Sequence, residues 1–136
     1  MKKESAQSLS TLSEKFRRGE LLNTHCPSRE VLKRLTSRWS LLVLVALEEE
    51  TLRFGELRRK IGGVSERMLA QTLRFMEEDG FVERRAWEVV PPHVEYCLSP
   101  LGQEVRAQIT GLADWIEMNL HQIMVNRRGW AQDGKE

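Results

Sequence analysis

The chain has 136 residues, which is enough for one domain with its own core but too few for two. Hydrophobic residues make up 40% and charged residues 30%, as in soluble globular proteins, and no apolar run approaches the roughly 20 residues that span a bilayer. Residues 1–5 carry charge with no apolar segment behind them, so we expect no signal peptide, no membrane anchor and a cytoplasmic location. Cys26 and Cys97 lie far apart with no CxxC spacing, which fits neither a disulfide scaffold nor a zinc ribbon, and we expect both to be reduced.

The charge is distributed unevenly along the chain. A net charge of +1 is small for a nucleic-acid binder. Between Arg53 and Arg74, however, six basic residues stand against two acidic ones, and acidic blocks at residues 48–50 and 77–79 flank this segment. This pattern predicts one basic face that attracts phosphate, bordered by surfaces that repel it.

The first half of the chain predicts helices. Apolar residues recur near helical spacing between residues 9 and 22, which indicates an amphipathic N-terminal arm with Leu9, Leu12, Phe16, Leu21 and Leu22 on one face. Pro27 marks a break before a helix that begins at Ser28. A second helix, from Ser37 to Glu48, is apolar nearly all round, so we expect it to be buried. Residues 51–54 are short enough only for an edge strand or a helix lead-in.

Two further helices follow, joined by a glycine-containing turn. Phe54, Leu57 and Ile61 give the third helix a core face, and the glycines at 62 and 63 end it. Ser65 is predicted to cap a fourth helix, which runs to Asp79 and ends before a glycine. A short helix, a tight turn and a second helix form the order of a helix-turn-helix.

Two alternating strands come after the fourth helix. They span residues 81–87 and 93–98, and a Pro-Pro hairpin tip at residues 88–92 joins them. Helix, turn, helix and hairpin in this order are typical of a winged helix-turn-helix. The predicted fold is therefore mainly α with a small β-hairpin wing.

A long apolar stripe characterises the last predicted helix, which Ser99 caps. Its stripe recurs every three or four residues, at Leu101, Val105, Ile109, Leu112, Ile116, Leu120 and Ile123. About 25 helical residues extend roughly 37 Å, more than the winged domain can cover, so we expect a homodimer. The predicted organisation is an arm (1–25), a DNA-binding domain (26–99), a dimerisation helix (100–125) and a flexible tail (126–136).

The fourth helix is the predicted recognition helix. Winding it at about 100° per residue places Arg67, Ala70, Gln71 and Arg74 opposite a core face. The predicted core face comprises Met68, Leu69, Thr72, Leu73 and Met76. Arginine pairs with the guanine edge and glutamine with the adenine edge in the major groove, while a capping serine can contact a phosphate. The alternative is that these side chains form an ordinary solvated face. The predicted DNA contacts of the two helices are Arg58, Arg59, Ser65, Arg67, Gln71 and Arg74.

Predicted contacts of the wing are fewer. Arg84 and Arg85 are adjacent on a strand, so their side chains leave on opposite faces, and we assign the phosphate contact to Arg85. Beside the tip, His93 is a candidate contact to the minor groove or to a phosphate. The alternative is a stiff Pro-Pro hairpin that contacts no DNA.

Several segments together resemble the HxlR-type branch of the MarR-like winged-helix regulators. They are Cys26-Pro27, Trp39, RFGELRRKIGGVSERMLAQTLRFMEEDGFVER from Arg53 to Arg84, and PPHVEYCLSPLG from Pro91 to Gly102. The resemblance implies a dimeric repressor or activator, with terminal helices forming the dimer and the helix after Ser65 in the major groove. The chain departs from the family at His93, where arginine is frequent, and at residues 36–38, which replace a glycine-rich turn.

In several members of that family a cysteine at the place of Cys26 senses electrophiles or oxidants, so Cys26 is a candidate redox sensor. His25 and the start of the following helix would favour the reactive thiolate. The alternative is a small buried hydrophobe, the commonest role of a free cysteine.

Other functional classes find less support in the residues. No nucleophile and base, carboxylate pair or metal cage has a recognisable spacing, so we predict no catalytic residues, no metal and no cofactor. A zinc site would have to assemble from residues with no ligand-motif spacing, namely His25, Cys26, His93, Cys97 and His121. The predicted function is a sequence-specific transcriptional regulator that binds double-stranded DNA at a pseudo-palindromic operator as a homodimer. The alternative is a winged-helix module that binds protein and reads no DNA.

Overall fold

The computed structural model describes residues 11–17, 19 and 25–134. In chain order the elements are α1 Leu12–Arg17, α2 Pro27–Leu35, α3 Arg38–Ala46, β1 Leu52–Arg53, α4 Phe54–Ile61, α5 Glu66–Glu78, β2 Val82–Trp87, β3 His93–Leu98 and α6 Pro100–Gln132. Of the predicted N-terminal arm, Leu9, Leu21 and Leu22 lie outside the described residues.

The connection between α2 and α3 consists of Thr36 and Ser37 and, with the adjoining ends of both helices, is here named the corner. Pro27 is the first residue of α2, where its missing N–H removes no helical hydrogen bond. Ser37 caps α3 by accepting a hydrogen bond from the backbone N–H of Ser40. α3 buries Val43, Leu44 and Ala46, but its Leu42 and Val45 are 38% and 47% exposed. The prediction that this helix is buried all round is therefore wrong for one of its faces.

The helix-turn-helix comprises α4, a turn and α5, as predicted. Gly62 and Gly63 both have positive φ, near 72° and 74°, a conformation that glycine adopts without strain, and they end α4. Ser65 caps α5, since its Oγ accepts a hydrogen bond from the Met68 N–H at 3.1 Å. Gly80, also at positive φ, follows the end of α5.

A three-stranded antiparallel sheet carries the wing, in the order β1-β3-β2. The hairpin register pairs Val82 with Leu98 at its base and Trp87 with His93 at its tip. β1 pairs Leu52 with Tyr96, so the segment at 51–54 contains an edge strand. This strand runs directly into α4 and thereby joins the helix-turn-helix to the wing.

One core lies between α3, α4, α5, the base of the hairpin and the start of α6. Its fully buried large side chains are Val43, Leu44, Leu47, Leu57, Leu69 and Leu73. Trp39, Phe54, Tyr96 and Val105 pack partly buried against it. The core fixes the orientation of α5 relative to the wing.

α6 is longer than predicted. Ser99 caps it through the Gly102 N–H at 3.0 Å, and the helix continues to Gln132, about 50 Å in all. The prediction of a flexible tail from residue 126 is therefore wrong for residues 126–132. Large apolar side chains are exposed along the helix, among them Leu112, Trp115, Ile116, Met118, Leu120, Met124 and Trp130. Within the described chain, no helix is both long and apolar enough to cross a membrane.

Candidate DNA interface

α5 presents two distinct faces. Leu69, Thr72, Leu73 and Met76 are buried against the core, while Arg67, Ala70, Gln71 and Arg74 are exposed on the other side. The predicted division of the helix is confirmed, except that Met68 is 42% exposed instead of buried. The small Ala70 between the longer polar side chains leaves room for close approach of a duplex.

The polar side chains of the exposed face differ in their pairing. Arg74 Nε lies 3.4 Å from Glu78 Oε1 one turn along the helix, but its side chain is 79% exposed, so this pair is weak and separable. Within the described part of the chain, Arg67 has no acidic partner. The two arginines and Gln71 line one shallow groove of about 540 Å³ along α5. Arg67 is therefore the most available cation on this exposed face of α5, the reading face, which comprises Arg67, Ala70, Gln71 and Arg74.

Three further predicted contacts flank the α4–α5 turn and differ in role, namely Arg58 and Arg59 on α4 and Ser65 at the N-cap of α5. Arg58 Nε donates to the Val64 carbonyl at 3.0 Å, and its Nη1 lies 3.4 Å from Glu66 Oε1, so this side chain braces the turn. Arg59 is exposed and has no acidic partner among the described residues. The Ser65 hydroxyl accepts the capping bond and keeps its own hydrogen to donate. Arg59 and Ser65 are thus free to contact phosphate, whereas Arg58 is largely committed.

The wing arginines lie on opposite faces of the sheet, as the strand period requires. Arg85, the predicted phosphate contact, lies 3.3 Å from Glu83 and stands opposite Glu95 in the register, so carboxylates surround it. Arg84 stands opposite Tyr96 and has no acidic partner in the described chain. The structure therefore makes Arg84 the more available cation of the two.

His93 is held within the sheet and does not point freely outward. Its Nε2 lies 2.6 Å from Glu95 Oε1, Arg53 donates to its Nδ1, and the Trp87 ring packs against it edge-on at 4.9 Å. Because an arginine side chain only donates, Nδ1 is the acceptor of that bond, and Nε2 is the ring atom that faces Glu95. The imidazole thus links β1, β2 and β3, and its ring nitrogens are already engaged.

Arg34 is a positioning residue that the sequence did not reveal. Its guanidinium lies 3.1 Å from Asp79 and 3.6 Å from both Glu78 and Glu30, and it stacks over the Phe75 ring at 4.6 Å. These contacts tie α2 to the C-terminal end of α5. The acidic block at 77–79 is therefore partly neutralised beside the reading face.

Both cysteines are free of disulfides and buried. Cys26 is the N-cap residue of α2, where its carbonyl accepts a hydrogen bond from the Arg29 N–H at 3.1 Å. Cys97 faces Glu83, with Sγ 3.8 Å from Oε2, and burial raises the pKa of its thiol. Among the described residues, no cluster of three or more histidine, cysteine or acidic side chains could hold a metal ion.

The helix-turn-helix and its hairpin define a winged-helix architecture of the MarR-like type. The sequence model of the HxlR-like helix-turn-helix family matches residues 34–124, and the chain belongs to this family of transcriptional regulators.

Relatives support the assignment over most of the chain. The HTH-type transcriptional regulator YtfH of Escherichia coli is 58% identical over 86% of this chain and 93% of its own length. A structure of the regulator ytfH from Salmonella typhimurium, also 58% identical, superposes with a TM-score of 0.73 over 79% of this chain and 96% of that one. The redox regulator HypR in its reduced form is 29% identical, with a TM-score of 0.67 over 74% of this chain and 99% of that one.

Proposed function

We propose that the protein binds double-stranded DNA sequence-specifically, with α5 in the major groove, and so regulates transcription in the cytoplasm. The observation that carries the proposal is the exposed face of α5, where Arg67, Gln71 and Arg74 surround Ala70 opposite a buried apolar face. Arginine and glutamine can each form two hydrogen bonds with one base edge. Arg59 on α4 and Ser65 at the N-cap of α5, together with the wing, supply contacts to the DNA backbone.

A homodimer is the second part of the proposal. α6 leaves a row of apolar side chains exposed far beyond the core, including Leu112, Trp115 and Ile116 at 51%, 58% and 42% exposure. A second copy of α6 would cover such a row, and the arm α1 would add to it. Ile116→Glu should convert the dimer to a monomer in sedimentation equilibrium, whereas Glu117→Gln on the same turn should leave it a dimer. A monomeric wild-type protein at micromolar concentration would contradict this part.

The test of DNA reading is selection of bound duplexes from a random pool. A two-fold reader should recover a pseudo-palindrome with half-sites about one helical turn, or a multiple of it, apart. The affinity for the selected duplex should fall with salt, with a slope of about 0.9 per phosphate contact. A pool that shows no enrichment, together with a flat salt response, would favour a winged-helix module that binds protein.

We also propose that oxidation of Cys26 regulates DNA binding, because of the place of Cys26 at the start of α2. Cys26 is the N-cap residue of α2 and only 9% exposed, so a bulky oxidised thiol there would have to displace the start of that helix. A similar protein, HypR, is described as a redox regulator. Oxidant should weaken DNA binding by the wild type and by Cys97→Ser but not by Cys26→Ser. Equal responses of the two variants would contradict a sensor at Cys26.

A further inference from the structure

The corner between α2 and α3 carries two cations that the proposed reading face does not use. Lys33 and Arg38 are exposed, and neither has an acidic partner among the residues that the structure describes. Other cations are engaged: Arg34 of α2 lies 3.1 Å from Asp79, and Lys60 of α4 donates to Glu50 and to the Ala46 carbonyl, both at 2.7 Å. The corner therefore holds two positive charges that no acidic residue of the described chain neutralises.

This corner adjoins the recognition helix. A cleft of about 330 Å³ separates α2 and the start of α3 from α5, and Lys33, Ser37, Trp39, Gln71 and Phe75 are among the side chains that line it. Gln71 and Phe75 also line the groove that contains Arg67 and Arg74. The two depressions thus share a wall, and a duplex seated on α5 would pass beside the corner.

Arg38 is pre-ordered for contact with an anion. Its guanidinium stacks over the ring of Trp39, 4.4 Å from the ring centre. Stacking occupies the flat face of the guanidinium and leaves its N–H edges to donate, and those edges match the oxygens of a phosphate. Among the described residues, Glu30 is the one carboxylate that lines the cleft, and Arg34 holds it at 3.6 Å.

We propose that Lys33 and Arg38 form a phosphate-binding corner that holds the DNA backbone next to the bases read by α5. This inference rests on the proposed DNA binding and adds a contact that carries no sequence information. Each protomer would contribute two phosphate contacts, so a dimer would make four. Four contacts correspond to about 3.6 in the slope of log K against log salt.

The test compares two double variants on the selected duplex. Lys33→Gln/Arg38→Gln removes the corner, and Arg127→Gln/Arg128→Gln removes the same charge near the far end of α6. Melting temperature and oligomeric state, measured for both, establish that each variant folds. Between 50 and 200 mM salt, the fold-loss of DNA affinity should be about 150 times larger for the wild type than for the corner variant. The α6 variant should show the same fold-loss as the wild type.

Sequence preference separates the corner from the reading face. The ratio of affinities for the selected and a shuffled duplex should stay unchanged in the corner variant, because phosphate contacts do not distinguish bases. Equal salt slopes for the corner variant and the wild type would overturn the proposed phosphate contacts of the corner. The same result is expected if the cleft binds a small anionic ligand instead of the DNA backbone. A wild type that binds no duplex would instead overturn the proposed function itself.

Discussion

Gly102 marks the closest approach between α6 and the base of the wing, and Gly102→Ala should therefore destabilise the fold. A Cβ at this position would overlap the Phe81 carbonyl oxygen and would lie 3.1 Å from its carbon and 3.3 Å from Leu98 Cβ. The Phe81 carbonyl cannot move freely, because it accepts a hydrogen bond from the Ser99 N–H at 3.0 Å. Ser99 in turn donates its hydroxyl to the Gly80 carbonyl at 2.5 Å.

The cost of the added methyl group follows from these contacts. Overpacking of a dense core costs about 1–3 kcal/mol, and a backbone neighbour places Gly102→Ala near the upper end of that range. Gly111→Ala is the matched control, since nothing lies within 4 Å of a Cβ there and alanine gains about 1 kcal/mol in helix propensity. Chemical denaturation at one protomer concentration measures both changes, because the stability of a dimer depends on concentration. Equal effects of the two substitutions would refute the close approach.

Three further outcomes follow from individual contacts. Ser65→Ala should lower the free energy of unfolding by about 1 kcal/mol, since α5 loses its cap. Ser65→Asp should keep the stability but weaken DNA binding, because it places an anion beside a phosphate. Parallel losses of stability and DNA binding in both variants would contradict the proposal that Ser65 both caps α5 and contacts a phosphate. Because burial raises the pKa of Cys97, its iodoacetamide reaction in Cys26→Ser at pH 8 should be slower than that of a model thiol, and an equal rate would contradict the burial. The same raised pKa means that Cys97 stabilises the fold below the ordinary thiol pKa and loses this contribution as the pH rises through the pKa of the folded state. The free energy of unfolding of the wild type should therefore show this alkaline loss, and that of Cys97→Ala should not.

Periodicity and capping predicted the elements that position the interface. Ser65, Ser99 and the glycines at 62 and 63 stand where the structure starts and ends helices, because these signals act within a few residues of the chain. The two faces of α5 followed from the same local periodicity. The end of α6 did not, since residues 126–132 do not continue the apolar stripe of the helix, although arginine and tryptophan are compatible with a helix.

The pairing of charged side chains did not follow from the sequence. Arg58, Arg85 and His93 were assigned to DNA by type and position, but the structure places Glu66, Glu83 and Glu95 beside them. Arg34 and the cations of the corner were missed for the same reason, because their significance depends on which acids approach them in space. For residues 51–54 the sequence left an edge strand and a helix lead-in as alternatives. The structure has a strand at Leu52–Arg53, and this strand brings Arg53 to His93.

The most direct test of the central claim is a double-mutant cycle between Arg67 and single base pairs of the selected duplex. Arg67→Ala should cost about 1–3 kcal/mol in binding at one base pair of each half-site, and replacing that pair should remove the cost. Gln71→Ala should behave likewise at a neighbouring pair, while Arg59→Ala should weaken all duplexes alike. An Arg67→Ala variant that loses no affinity, or loses it equally for every duplex, would contradict base reading by the exposed face of α5.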